Sequence, residues 1–493
     1  MATRIARNDE GNLCMKVRPE PNDSPREHCG LCGVTGGEAV LERVQLGLHT
    51  LQHRGQEAAG IMACVGGKCR LHKGNGLVEQ VFRQIPETWH RGPVSRAISH
   101  VRYSTAGGSA VTNAQPLMVD MAGDVIGIAH NGTLCNAATL RQELQQEGAL
   151  FQTTSDTEII LHLMSHALSK HDRGHIWEAL EDALQRVAGA YSLLLMTRDA
   201  LVAVRDPHGY RPLCIGDFTD GAYMVASETL AFQALGAAYV REVEPGEMVI
   251  WGANDRMDTH LFATSARKAH CIFEHVYFAR PGSYVFGDSV YEVRKQMGRV
   301  LAREAPVEAD VVMPIPDSGL YAALGFAEVS GIPFDMGLSR NHYVGRTFID
   351  PGIESRRKMV TRKLQPIAEA LRGKRICLIE DSIVRGSTCR ARVHALREAG
   401  AREVHLRVSC PPHRFGCYFG IDFPEKSELL ANKVPSADLC RSLRLDSLHY
   451  LSREGMLSCV KAHPPEDYCC ACFDGDYAVQ PDHMDTPPLP VQA

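Results

Sequence analysis

Residues 374–388, KRICLIEDSIVRGST, set two acids between an apolar run and a loop of small hydroxylic residues. Carboxylates accept hydrogen bonds from hydroxyl groups and bind hard cations. The loop Arg385-Gly386-Ser387-Thr388 instead offers backbone N–H groups and a guanidinium to a phosphate. Acids beside an anion cradle require a ligand that is both polyhydroxylated and phosphorylated, and a phosphorylated sugar meets both needs. Cys29 is a second candidate. If the residues before it are removed, it carries a thiol and a free α-amine together, and an amine titrating near ~8 can serve as the general base. Cys29-Gly30-Leu31-Cys32 also reads as a metal half-site, although no matching His or Cys pair follows nearby.

The elements that must position these groups are partly legible. Arg375 to Ile379 reads as a buried strand of a parallel sheet, which places Glu380 and Asp381 beyond its carboxyl end, where doubly wound sheets bind ligands. CRARVHALREAG then reads as an amphipathic helix with Val393 and Leu396 inward and Gly400 as its stop, and Glu403 to Val408 begins another strand. A further apolar strand, from Val311, ends in the tight polar turn Asp317-Ser318-Gly319, whose amides can face a pyrophosphate; alone, Pro-Asp-Ser-Gly is only a β-turn. In the first half, Cys29 to Val34 reads as the first strand of a buried sheet. Between Trp177 and Pro245 a helix and several strands follow, as in a layered sandwich of sheets and helices.

The chain has 493 residues, too many for one ordinary core, and divides here into a leader (1–28), two domains (29–260 and 261–473) and a Pro- and Asp-rich tail (474–493), disordered past its first few residues. With 53 basic and 58 acidic residues, a net charge of -5 and no block of like charge, nucleic acid is not an expected partner. No apolar run reaches the roughly 18 to 20 residues of a membrane span, and 1–28 lacks a secretory core, so a cytoplasmic location without membrane attachment is expected. In that setting 17 cysteines point to thiols, metal ligands or a nucleophile.

The ordered motifs LQHRGQEAAG (51–60), SHVRYST (99–105), HNGT (130–133) and SDTE (155–158), with Cys29, resemble the glutaminase domain of class II, N-terminal-nucleophile amidotransferases. KRICLIEDSIVRGST resembles the phosphoribosylpyrophosphate motif of type I phosphoribosyltransferases. In this order they are similar to the glutamine phosphoribosylpyrophosphate amidotransferases. The implied fold is an αββα sandwich followed by a doubly wound parallel sheet. The resemblance implies that Cys29 attacks glutamine, that Asn131 and Gly132 form an oxyanion hole, that Arg102 grips the substrate carboxylate and that Asp156 holds its α-amino group. Read singly these have plain alternatives: Ser155-x-x-Glu158 as a helix capping box, Asn-Gly as a turn, Arg102 as a strand-edge charge and Cys29 as a core residue.

For the second domain it implies a phosphoribosylpyrophosphate site of Asp317, Ser318, Gly319, Arg346, Lys363, Glu380, Asp381, Ser382, Arg385, Gly386, Ser387 and Thr388, with Mg²⁺ on Ser318, Glu380 and Asp381. Arg346 and Lys363 belong to a basic segment resembling the family's flexible loop. Two departures stand out: Glu380 where the family more often has Asp, and Ile353 where it often has Gln. Cys271, Cys417, Cys469 and Cys472 match a branch carrying a 4Fe-4S cluster, although four thiolates also suit structural zinc. The implied reaction hydrolyses glutamine and passes ammonia to C1 of phosphoribosylpyrophosphate, giving 5-phosphoribosylamine, pyrophosphate and glutamate at the first step of purine synthesis. A homotetramer and feedback by purine nucleotides are further implications. The competing readings are a sensor that keeps only phosphoribosyl binding, and a glutaminase serving another acceptor.

Overall fold

The computed structural model describes residues 6–7, 13–14, 29–341 and 364–482, apart from 84, 90–91, 104–109, 122 and 171–175. Among them, 29–294, 414–425 and 457–482 form one compact unit, and 295–413 with 426–456 form another. No helix among the described residues is long and apolar enough to cross a membrane.

The first unit is built on two antiparallel sheets of seven and six strands. Gly30–Thr35 lies inside the seven-stranded sheet, between Val94–Arg102 and Tyr223–Ala226. Every residue of this strand is buried, because both of its faces are covered. Leu31 joins the core between the sheets with Leu194 and Leu201, while Cys32 and Val34 pack on the helix Val40–Thr50. The period-2 alternation therefore separates two apolar layers rather than a core from water. The six-stranded sheet includes Asp124–Leu134 and Gly189–Met196, and the helices Thr157–Lys170 and Ile176–Leu184 cover its outer face. Helix, sheet, sheet and helix form the expected αββα sandwich.

The second unit carries a parallel sheet in the order Val311–Pro314, Arg375–Glu380, Glu403–Val408, Ser447–Tyr450. Helix Leu320–Ser330 follows the first strand and Ser387–Glu398 the second, giving the strand-helix-strand order read from the sequence.

The cysteine-bearing segments 414–425 and 457–482 pack with the sandwich. They build a small core of Ala190, Tyr210, Phe419, Ala471 and Tyr477, against which Cys417 and Cys469 lie. The described chain runs on through 482, further than the first few residues of the tail. Tyr477 is buried and its hydroxyl donates to the Gly416 carbonyl at 2.7 Å, and Arg267 holds Asp476 through two bonds of 2.9 and 2.7 Å.

Candidate active site

Cys29 stands just before Gly30–Thr35 and is 9% exposed. Gly30 lies opposite Val101, so Arg102, at the end of Val94–Arg102, comes next to the cysteine across the sheet. Burial pushes the Cys29 thiol up, more than the Tyr103 backbone N–H and the Arg102 and Arg54 guanidiniums pull it down, and the Asp156 carboxylate adds to the rise. A sulfur in this setting is a neutral thiol and needs a base before it can attack.

Asp156 precedes the helix Thr157–Lys170. Burial alone would raise its carboxyl. His130, whose Nδ1 lies 3.5 Å away, and the Leu134 N–H at 3.0 Å outweigh burial and hold it below the usual carboxylate range. The expected capping box takes a different form. Ser155 Oγ accepts from Thr157 N–H at 3.3 Å, while Glu158 reaches back to the Gln152 and Thr153 amides at 2.7 Å each. The helix start is thus held by Ser155 and Glu158, and the Thr157 N–H also helps to hold the Asp156 carboxyl down.

Asn131 and Gly132 lie within the strand Asp124–Leu134, opposite Ser192 and Tyr191, rather than in a turn. Asn131 is fully buried, and among the described residues neither its Oδ1 nor its Nδ2 has a hydrogen-bond partner. Native interiors rarely leave a buried amide in that state, which marks the group as a candidate partner for a ligand or an ordered water. Gly132 has φ +142°, and a Cβ there would lie 2.0 Å from the Ala190 carbonyl oxygen, so only glycine fits.

Beneath Cys29 lies a buried charge network that local motifs do not predict. Arg54 donates through Nε to the Cys29 carbonyl at 3.2 Å, through Nη1 to Glu228 at 2.7 Å, and through Nη2 to Glu274 at 2.7 Å. Arg211 Nη1 reaches the same Glu274 at 3.1 Å. Despite burial, Arg54 holds the Glu274 carboxyl below its usual range.

In the second unit Pro314 lies opposite Ile379, so the turn after the first strand and the acids after the second share one end of the parallel sheet. A Cβ on Gly319 would come 2.4 Å from the Ile379 carbonyl oxygen, a close approach that requires glycine. Asp317, Ser318 and Gly319 are thereby brought beside Glu380, Asp381 and Ser382. Asp381 is 4% exposed and accepts from Ser382 Oγ at 2.5 Å. Ser387 and Thr388 form the first turn of Ser387–Glu398, with Gly386 (φ +77°) before it, which leaves N–H groups at a helix start as an anion site demands. Arg385 is paired with Glu428 at 2.7 Å and Asp317 with Arg340. Glu380 Oε1 accepts from Arg392 Nη1 at 2.7 Å. Arg346, Lys363 and Ile353 lie outside the described residues.

Cys271, Cys417, Cys469 and Cys472 line one cavity, together with Tyr210 and Arg211. His270–Cys271 pairs in parallel with Tyr468–Cys469, setting Cys271 directly opposite Cys469. The Phe419 N–H donates to Cys417 Sγ at 3.4 Å, and backbone amides of Phe273, Ala471, Gly420 and Ile421 pull the Cys271, Cys469 and Cys417 thiols down. Burial pushes all four thiols up, that of Cys271 to about 12.

Residues 100–234 match the model of a glutamine amidotransferase domain family. The soybean (Glycine max) chloroplastic amidophosphoribosyltransferase is 45% identical over 96% of this chain and 82% of its own, and the Bacillus subtilis enzyme 43% identical over 92% and 94%. The solved glutamine phosphoribosylpyrophosphate amidotransferase of B. subtilis, complexed with ADP and GMP, superposes with a TM-score of 0.86 at 41% identity, covering 93% of this chain and 99% of that one. The chain belongs to the amidophosphoribosyltransferase family. Its reaction is the transfer of the glutamine amide nitrogen to phosphoribosylpyrophosphate.

Within an amidophosphoribosyltransferase, Arg54, Glu274, Arg211 and Arg392 are residues to which the sequence gives no role, although Arg54 lies within the motif LQHRGQEAAG. Arg54 and Glu274 are 220 positions apart, and nothing local to either announces the pair. Arg392 had a weak signal, as a basic residue one turn before Leu396 on a helix expected to be amphipathic.

Proposed function

We propose that this amidophosphoribosyltransferase takes glutamine at a site made by Cys29, Arg102, Asn131, Gly132 and Asp156. The observation that carries the reading is the buried, unpartnered amide of Asn131. Arg102 grips the substrate carboxylate through two parallel bonds, and the anionic Asp156 receives the α-ammonium. The Cys29 α-amine, freed by removal of 1–28, takes the thiol proton that burial makes hard to lose. Attack at the amide carbon moves its π electrons onto oxygen, which Asn131 Nδ2 and the Gly132 N–H stabilise. Collapse expels ammonia and leaves a γ-glutamyl thioester for water to hydrolyse.

The ammonia then attacks C1 of phosphoribosylpyrophosphate, whose ribose hydroxyls are held by Glu380 and Asp381 and whose 5-phosphate sits on Arg385, Gly386, Ser387 and Thr388. Oxygen donors at adjoining strand ends suit a hard cation, and Asp381, Ser318 and Glu380 would hold Mg²⁺, which supplies neutralising charge for the departing pyrophosphate. Asp381 is the principal ligand in this reading, because Glu380 stands where the family more often has Asp, and its longer side chain is paired with Arg392. Asp317, Ser318 and Gly319 cradle the pyrophosphate, and Arg346 and Lys363 close over it.

We assign a 4Fe-4S cluster to Cys271, Cys417, Cys469 and Cys472. Four soft ligands around one cavity, the Phe419 amide on Cys417 sulfur, and Arg211 Nε and Nη2 buried without partners among the described residues suit an anionic cluster. When bound, the cluster ties three separate chain segments together. Purine nucleotides are proposed as feedback ligands from the ADP and GMP of the B. subtilis complex.

The test measures glutamate and pyrophosphate together, with Mg²⁺, with and without each substrate. Equal amounts appearing only when both substrates are present support the reading; glutamate without pyrophosphate reduces it to a glutaminase. Sequencing of the mature N-terminus must begin at Cys29, since an active enzyme beginning at Met1 removes the proposed base. Anaerobically purified protein is expected to be brown, with about four iron per chain; a colourless zinc protein overturns the cluster.

A further inference from the structure

Gly420 has no part in the reaction as described, yet it touches the site that performs it. Its φ is +116°, and a Cβ placed on it would lie 3.1 Å from Gly132 Cα, 3.3 Å from the Gly132 carbonyl carbon and 3.0 Å from Arg211 Nη2. Gly132 is therefore hemmed in by two backbones, Ala190 and Gly420. The loop bearing Gly420 is held at many points. Phe419 stacks on Tyr210 with centroids 4.1 Å apart and joins a small core with Ala190. The Tyr418 carbonyl lies 3.6 Å from Cys135 Sγ, the Phe419 N–H donates to Cys417 Sγ at 3.4 Å, and the amides of Gly420 and Ile421 also pull the Cys417 thiol down.

We propose that Gly420 is a positioning residue of the glutaminase: its backbone fixes the Gly132 peptide so that the oxyanion donors stand ready before substrate arrives. This rests on reading Asn131 and Gly132 as the oxyanion hole. Preorganised donors work only where the oxyanion forms, and a displacement of about 1 Å costs on the order of 100-fold in rate. The loop thereby couples the cysteine-lined cavity to glutamine chemistry through three consecutive residues, Cys417 receiving the amides and Gly420 bearing on Gly132.

The experiment compares Gly420→Ala, Asn131→Ala and Gly416→Ala in the full-length, processed enzyme. Gly416 shares the loop but has open space around its Cα, so its variant controls for general disturbance. The readouts are kcat and KM for glutamine, ammonia-dependent pyrophosphate release, iron content, and alkylation of Cys29 by iodoacetamide. For Gly420→Ala, kcat with glutamine falls by about 100-fold. Its KM, ammonia-dependent rate, iron and Cys29 alkylation stay as in the parent. Gly416→Ala behaves as the parent. If Asn131→Ala leaves the glutamine rate intact, the oxyanion reading fails and the proposal with it. If Asn131→Ala is impaired while Gly420→Ala turns over glutamine normally, or loses both activities together with its iron, only the positioning role of Gly420 is overturned. Should Gly420→Ala not fold, Phe419→Leu keeps the glycine but removes the stack on Tyr210. A drop in kcat at unchanged KM supports the proposal, and an unchanged kcat overturns it.

Discussion

Replacing Asn131 by alanine should separate activity from stability, moving them in opposite directions or moving activity alone. The side chain is fully buried with both polar atoms unpartnered. A buried polar group left unpaired costs roughly 1–3 kcal/mol of folding free energy, and truncation removes that cost. The lost packing takes back part of the gain. The fold should therefore be unchanged or more stable by about 1–2 kcal/mol. Catalysis loses one oxyanion donor, about 3–4 kcal/mol, or 10²- to 10³-fold in kcat with glutamine. Ammonia-dependent synthesis bypasses the oxyanion and should be unaffected. Glutamate release at saturating substrates, pyrophosphate release from ammonium salt and urea unfolding measure the three quantities. A variant destabilised by more than about 2 kcal/mol that loses both activities would show the amide to be structural. Undiminished glutamine turnover would remove Asn131 from the mechanism.

Glu274→Ala leaves Arg54 and Arg211 buried without their shared carboxylate, and should cost about 3–5 kcal/mol, read as a lower urea midpoint for the glutaminase unit. Asp156 titrates below its ordinary value of about 3.9, so its stabilising contribution is complete above that pH and is lost as pH falls through the depressed native value; Asp156→Asn should flatten the acid limb of the stability profile and raise KM for glutamine at neutral pH. Asp381→Asn should cost several kcal/mol of phosphoribosyl transfer from ammonia, and Glu380→Gln less, because Glu380 stands where the family more often has Asp and is held by an ion pair with Arg392. Equal losses in the two variants, measured across a Mg²⁺ titration, would contradict that ranking.

What could be read in the sequence were groups whose neighbours in space are neighbours in the chain. Glu380 through Thr388 form one strand end, loop and helix start, so order along the chain is order in the site. The strand after Cys29 was legible for the same reason. What escaped were pairings made by folding. Arg392 meets Glu380 only because the helix after the loop turns its face back along the strand. The cysteine segments joined the sandwich because Phe419, Ala471 and Tyr477 could be buried there with Ala190 and Tyr210, an apolar match with no local signature. The same burial orders 474–482, where polar composition had suggested order in the first few residues alone.

The chemistry of Arg211 connects the two halves of the first unit. Its Nη1 shares Glu274 with Arg54, while Nε and Nη2 lack partners and the side chain lines the cysteine cavity. With four neutral thiols as neighbours, this buried cation would draw its whole compensation from Glu274, and Arg54 would have to share it. Four thiolates carrying an anionic cluster would instead satisfy Arg211 from the cavity side and leave Glu274 to Arg54. Arg54 in turn donates to the Cys29 carbonyl. With Cys29 as the proposed nucleophile and Asn131 and Gly132 as the proposed oxyanion hole, the charge state at the cysteines would bear on the backbone of the nucleophile through two guanidiniums and one carboxylate, and Gly420, between the cavity-lining Phe419 and Ile421, would bear on the oxyanion strand. Packing the cysteines with the glutaminase gives them two physical routes to its chemistry, one electrostatic and one steric.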